Sequence, residues 1–404
     1  MKLRGKFYLI AVLSLAGLGA LSSARPQTPR AKPNIVLLIA DQLRQCSMSY
    51  AGNAQIITPH LDRLAQQGTR IMNCVSNLTL CTPYRAMLMT GRYSHTLGIF
   101  KNHAWLPIEE QSLAEALREH GYACGYLGKW HLAGEEKFDF IPPGPLRQGW
   151  DEFWAAYNFG DTHSAQKYLL GDSPVVRVMP GHSADGFTDY ALQFIDTHKD
   201  RPFVLVVAWA PPHNPYLDVP DSWKSMYSPS EIVLRPNFAR EQAEFQQKIA
   251  GYYALTTNLD WNVGRILARL DSLGLADDTI VVFTSDHGDM LGSQGHEFKQ
   301  RPWHESTHVP LIIRYPGVVL AGRETDLLFN TPDFMPTLFG LAGIPIPPTV
   351  DGADLSAFLR AAGKRVYLQS PALPERRPVH STLGRGGYEA FYIRTRGFWA
   401  LAFV

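Results

Sequence analysis

Only four of the 404 residues are cysteine, at positions 46, 74, 81 and 124. That is too few for a scaffold built on disulfides, and a chain this long does not need one to bury a core. An excess of charge is also missing. The 38 Lys and Arg against 37 Asp and Glu leave a net +1, which gives no basis for binding nucleic acid or another polyanion through bulk charge. Past residue 24 no apolar run is long enough to cross a bilayer. There is no internal repeat, no low-complexity tract, and no glycine-rich loop of the kind that cradles phosphate.

What remains is 45% hydrophobic and rich in Gly (33) and Pro (29), the composition of a large core whose loops are ordered and numerous. Lys2, Arg4 and Lys6 precede an apolar stretch from Phe7 to Leu21, and Ser22, Ser23 and Ala24 follow it. This pattern predicts a signal peptide over residues 1–24 and an exported protein, periplasmic or secreted. An uncleaved anchor is the competing reading, weakened by the short run. No cysteine follows to carry a lipid. Cys46, Cys74 and Cys124 read as small buried apolar side chains. Asn77-Leu78-Thr79 fits a glycosylation sequon, a match frequent by chance.

Five short apolar runs end abruptly in polar residues: Asn34–Ala40, Tyr122–Leu127, Phe203–Trp209, Thr279–Ser285 and Pro310–Arg314. Runs of this length and continuity suit strands buried on both faces of a largely parallel sheet. Helical patterns lie between them, at His60–Gln67, Glu110–His120, Ala184–His198, Gln242–Leu273 and Pro332–Leu341. Strands alternating with helices predict an α/β sandwich, with ligands bound beyond the carboxyl ends of its strands. Asp41, Lys129, His131, His213, Asp286 and His287 all fall there. A Pro-rich stretch, Ile344–Gly352, reads as a junction to a small C-terminal piece with a helix (Leu355–Ala362) and two strand-like segments.

The stretch Leu80–Arg92, "LCTPYRAMLMTGR", carries the most chemistry. Thr82 suits an N-cap, Pro83 the first helical position and Gly91 the C-terminal stop. Cys81 then lies at a helix mouth, where free N–H groups favour an anion, with Arg85 one turn on along the same side. Alone, C-x-P-x-R is more often a buried cysteine beside a surface arginine. With the Thr90-Gly91-Arg92 ending it resembles the signature of the sulfatase family, in which this cysteine is oxidised to formylglycine by a maturation enzyme. Cys81, Pro83, Arg85, Thr90, Gly91 and Arg92 match; Tyr84 stands where the family has a small residue.

The resemblance extends over most of the chain. It implies an alkaline phosphatase-like α/β/α sandwich over residues 25–350, with a short α+β subdomain over 351–404. "PNIVLLIADQ" is similar to the family's first strand, and "SDHGD" to the strand bearing its other metal-binding acids. One divalent cation is thereby implied on Asp41, Gln42, Asp286 and His287. Calcium is the family's usual ion, while an imidazole ligand leaves manganese or zinc open. "LGKWHLAG", "APPHNPY" and "GHEFKQRPWHESTHVPLIIRYPG" resemble substrate-binding segments, implying Lys129, His131, His213 and Lys299 at the site. Asn102 in "GIFKNH" falls where related enzymes place an active-site Asn. By the same resemblance Lys129, Lys299 and Arg85 would neutralise the transferred group. His213 would protonate the leaving oxygen, a role that Lys299 could share, and His131 would take a proton from the second hydroxyl of the formylglycine hydrate.

Two departures shape the expectation. Gln42 replaces the family's common second aspartate and is shared with phosphonate monoester hydrolases of the same superfamily. The family's C-terminal "LYDL" segment has no counterpart. The expected activity is therefore hydrolysis of sulfate esters of a small molecule or glycan. A phosphonate monoester or phosphodiester hydrolase, and an inactive binder of sulfated glycans, are the other readings. Oligomeric state has no signature.

Overall fold

In β1 (Asn34–Ala40) every residue is buried, and alternate side chains face opposite ways. Ile35, Leu37 and Ile39 join one apolar cluster, while Val36, Leu38 and Ala40 join another. A strand with a period of two and no polar face must be covered on both sides, and that requirement dictates a three-layer fold. The computed structural model describes residues 32–136, 140–160, 162–238 and 242–360, together with the backbone of three strands beyond residue 378. The predicted signal peptide lies outside these residues.

The other elements are α1 (Pro59–Gln67), β2 (Thr69–Val75), α2 (Cys81–Thr90), α3 (Leu113–Glu119), β3 (Ala123–Lys129), β4 (Phe153–Tyr157), β5 (Lys167–Leu170) and β6 (Arg177–Val178). After them come α4 (Ser183–His198), β7 (Phe203–Ala208), α5 (Gln242–Ser272), β8 (Thr279–Ser285), β9 (Leu311–Arg314), β10 (Arg323–Asn330), α6 (Phe334–Ala342) and α7 (Ser356–Arg360). Among the described residues one sheet runs in the order β10-β2-β9-β8-β1-β7-β3-β4-β5-β6. Its centre, β8-β1-β7-β3-β4, is parallel, so the carboxyl ends of these strands share one edge. Helices α2, α3 and α6 contribute to one apolar cluster, and α1, α4 and α5 to the other. Asn34 ties three central strands together: its amide donates to Thr279 Oγ1 and its oxygen accepts from Phe203 N–H, both at 3.3 Å.

Four expectations needed adjustment. The Pro310–Arg314 run is a strand from Leu311, but antiparallel to β8 and β2. β2, β4 and β10 had no strand reading; β2 and β10 mix polar residues with apolar ones because their faces are only partly covered. Ile344–Gly352, read as a junction, is hydrogen-bonded to the sandwich at its end. The N–H groups of Asp351 and Gly352 donate to the Gly91 carbonyl, and Ala353 N–H reaches Asp333. Finally, α2 starts at Cys81, two residues earlier than Thr82 as N-cap would place it, and Asn102 supplies the acceptor for the Thr82 N–H at 3.0 Å. Beyond residue 378, β11 (Val379–Leu383), β12 (Tyr388–Thr395) and β13 (Phe398–Phe403) pair antiparallel. The four cysteines are free, and Asn77 is buried with its side chain bonded to Asn330 and Thr331, so the sequon offers no acceptor.

Candidate active site

At the shared strand edge, Asp41 follows β1, Asp286 and His287 follow β8, and Lys129 closes β3. Above them α2 points its N-terminus inward with Cys81 in its first turn; all ten residues of this helix are buried. Cys81 Sγ stands 3.3 Å from His287 Nε2, 3.5 Å from Lys129 Nζ, 3.4 Å from Lys299 Nζ and 3.9 Å from Asp41 Oδ1. Burial and Asp41 oppose ionisation of the thiol, but Lys129, Lys299 and His287 outweigh them and hold its pKa well below the ordinary value. This spot is built to receive negative charge.

Asp41, Asp286, His287 and Cys81 bring ligand atoms within 4.8 Å of one another, all buried. Burial and the neighbouring Asp41 push the Asp286 carboxyl up, and His287 and the Arg85 guanidinium offset this only in part. Gln42 completes the donor set. Its backbone N–H donates to Asp286 Oδ1 at 3.0 Å, and its side-chain Nε2 donates to Asp289 Oδ2 at 2.7 Å. That leaves Gln42 Oε1 buried without a hydrogen-bond partner. His287 donates Nδ1–H to the Gly288 carbonyl at 3.1 Å, so its Nε2 lone pair faces the carboxylates. An orphaned carbonyl oxygen, two carboxylates and an imidazole oriented by a carbonyl fit one hard divalent cation.

Asp289 and Tyr216 were not foreseen, although Asp289 closes the "SDHGD" motif. Tyr216 OH donates to Asp289 Oδ2 at 2.6 Å, which fixes the carboxylate that fixes Gln42. Replacing Asp289 with Asn would let the amide present a donor to Gln42 Nε2 and free Gln42 to flip. Metal affinity is expected to fall about 10- to 100-fold, read by calorimetric titration of metal-stripped protein with Ca²⁺ or Mn²⁺. An unchanged affinity would remove Gln42 Oε1 from the donor set.

The structure redraws the roles of two residues. Arg85, fully buried, donates to the Lys129 carbonyl at 2.6 Å, to Asp286 at 3.2 Å and to Asp41 at 3.4 Å. Its guanidinium grips Asp41 and Asp286, two of the acids expected to hold a cation. Asn102 uses its oxygen to cap α2 at Thr82. Lys129 forms an ion pair with Asp41; burial works against its charge, yet Asp41 outweighs it and keeps the ammonium protonated. Tyr84 turns into the core cluster and away from the site, which explains why a bulky residue fits there.

His213 donates Nδ1–H to the Asn214 carbonyl at 2.7 Å, so its Nε2 accepts from Lys299 Nζ at 3.2 Å. Burial, then Lys299, drives its pKa well below the ordinary value. His213 Nε2 is therefore held as an acceptor facing Lys299 Nζ. His163, also unforeseen, donates Nε2–H to the His213 carbonyl at 2.6 Å and so anchors the loop from behind. Burial lowers its pKa to about 4, against the opposing effect of that hydrogen bond. In the unfolded chain it titrates near 6.5, so the unfolded state binds the extra proton first. Stability present above pH 6.5 is thus lost as pH falls towards 4, by about 3 kcal/mol. The melting temperature of His163→Gln is expected to fall less steeply across that window; an identical slope would clear His163 of the effect.

A cavity of about 650 Å³ opens beside the cluster, lined by Gln42, His213, Asn214, Lys299 and Arg301 among others. Residues able to hold a cation, an anion-seeking helix mouth and two lysines thus meet beside an open cavity. The sulfatase family model matches residues 33–344, and the chain belongs to the sulfatase family. It is 39% identical over 335 residues to the ulvan-active sulfatase of Formosa agariphila, covering 81% of this chain and 65% of that protein. The chain thus spans less than two thirds of that relative's length. Human arylsulfatase A is 30% identical over 378 residues, covering 87% of this chain and 71% of that protein. Among solved structures, the yidJ protein of Bacteroides fragilis matches with TM-score 0.82 and 29% identity, over 93% of this chain and 89% of that one. Phosphonate monoester hydrolase of Agrobacterium radiobacter shares the fold, with TM-score 0.71 and 22% identity over 92% of this chain and 87% of that one.

Proposed function

We propose that the chain hydrolyses sulfate esters on a glycan, with Cys81 as the precursor of its nucleophile. The observation that carries this is the convergence of Lys129, Lys299 and His287 on Cys81 Sγ at the mouth of a buried helix. Asp41, Gln42, Asp286 and His287 would hold a divalent cation, with calcium the expected ion. When present, the cation and a formylglycine at Cys81 supply a polarised sulfate, a hydroxyl nucleophile and an aldehyde exit.

The chain's own side chains do the rest. Lys129 and Lys299 offset the negative charge of the sulfuryl group during transfer. Lys299 Nζ gives a proton to the departing oxygen, with His213 Nε2 holding the ammonium in place and sharing the proton. His131 accepts a proton as the base that lets sulfate leave. Trp105, half exposed, pairs its backbone with Ala133 just after His131 and offers an indole face to a sugar ring.

A glycan substrate is supported by the relatives' names, ulvan-active sulfatase and N-acetylglucosamine-6-O-sulfatase, and by the size of the cavity. A formylglycine-generating enzyme is the implied maturation partner, and export the implied location. No helix among the described residues is long and apolar enough to cross a membrane. Gln42 favours a second reading, phosphonate monoester hydrolysis. Matched aryl sulfate and aryl phosphonate esters separate the two: sulfate turnover is expected to dominate, and equal or reversed preference would overturn the proposal.

A further inference from the structure

His131 and His103 meet through their rings. His131 Nε2 lies 3.2 Å from His103 Nδ1, with centroids 5.0 Å apart. Phe159 packs against both, 4.2 Å from His103 and 4.9 Å from His131. The backbone of each histidine is left-handed, φ 66° at His103 and 57° at His131. Such strain in two touching non-glycine residues persists only where surrounding contacts impose it.

Those contacts form a closed circuit beside Cys81. Thr82 N–H donates to Asn102 Oδ1 at 3.0 Å, and His103 N–H donates to Thr82 Oγ1 at 3.2 Å. Thr82 Oγ1–H donates to the His131 carbonyl at 2.8 Å. His131 N–H donates to the Asn158 carbonyl, whose side chain in turn pins residues 133, 134 and 136. The helix start, the Asn102-His103 loop and the loop after β3 are therefore held in one register. In this arrangement His131 Nδ1 is buried and has no hydrogen-bond partner. A buried polar atom left open within a site calls for a reacting group to meet it.

We propose that His103 is a positioning residue for His131: its Nδ1 accepts from His131 Nε2–H, which leaves the His131 lone pair at Nδ1, the open atom. A neutral imidazole carries one N–H, so a donor at Nε2 obliges Nδ1 to be the acceptor. When Nδ1 takes a proton, the ring becomes cationic and the bond from Nε2–H to His103 becomes charge-assisted. That bond matters because burial, followed by Lys129, Arg85 and any positive charge on His103 itself, disfavours the charged ring, and Asp41 favours it, so His103 supports the proton as a neutral acceptor. The proton stays on His131 until Nδ1 releases it, and His103 keeps its own. His103 is partly exposed, and nothing in its spacing along the chain marks it.

The inference rests on His131 being the base of the site, but its primary test needs no turnover. Protein labelled with ¹⁵N-histidine, with the His131 signals assigned by a His131→Gln control, is expected to show Nε2 protonated and Nδ1 bare. In His103→Ala the ring should become a mixture of tautomers, and His103→Asn, which restores an acceptor at the same place, should recover the single form. With an aryl sulfate, kcat should fall about 10- to 100-fold in His103→Ala with KM nearly unchanged, and recover in part in His103→Asn. A His131 ring protonated at Nδ1 in the parent protein overturns the proposal. So does a tautomer that His103→Ala leaves unchanged, whatever happens to kcat. If the tautomer behaves as expected and kcat does not move, the positioning stands and the assignment of His131 as base fails instead.

Discussion

Replacing Cys81 with Ala is expected to lower kcat for an aryl sulfate by about 10⁴-fold or more, with the fold and the melting temperature nearly intact. The size follows from the geometry, in which every group at the helix mouth is aimed at one atom. Lys129, Lys299 and His287 lie within 3.5 Å of Sγ and would be left with nothing to act upon. The melting temperature should fall only modestly, because the change removes one small atom, while Lys129 and His287 keep Asp41 and Asp286 as partners once the thiolate is gone. Circular dichroism and thermal melts alongside the kinetics check both halves. Residual turnover within tenfold of the parent would mean that the nucleophile is elsewhere.

Asp286→Asn should cost about 10³-fold in kcat/KM, several kcal/mol of transition-state stabilisation lost with the cation. Its effect on stability separates this account from a merely structural one. In metal-stripped protein the amide relieves the crowding with Asp41 but keeps only one of the two acceptors that Asp286 offers to Gln42 N–H and Arg85, so the melting temperature of each metal-free protein serves as its own baseline. Added Ca²⁺ or Mn²⁺ should raise the melting temperature of the parent and fail to raise that of Asp286→Asn, since only binding to the folded state stabilises. Equal gains in both would place the ion somewhere else.

The parallel centre of the sheet was legible because β1, β7 and β8 carry unbroken apolar runs along their middles, which suit a strand covered on both faces. The polar residues that end those runs were legible for the same reason, since the chain turns there at one edge. β4, β10 and the antiparallel direction of β9 were not, because pairing direction leaves no trace in periodicity and edge strands mix polar with apolar residues. At the site, Asp41, Lys129, His213, Asp286, His287 and Lys299 converge as their positions after strands or in matching segments implied. Arg85 illustrates the limit. Its spacing from Cys81 put it on the correct side of α2, but only three dimensions show its guanidinium turned onto Asp41, Asp286 and the Lys129 carbonyl. His103, His163, Tyr216 and Asp289 act through other residues, and contacts between residues up to 247 positions apart carry no local signature.

The central claim is that Cys81 serves as a precursor and not as a thiol. Its most direct test is the mass of the peptide containing Cys81, taken from protein coexpressed with a formylglycine-generating enzyme, with aryl sulfate turnover measured on the same sample. The account predicts that the peptide carries an aldehyde in place of the CH₂SH group, and that kcat rises in proportion to the converted fraction across preparations. Full turnover from a sample whose Cys81 is entirely an unmodified thiol would contradict it.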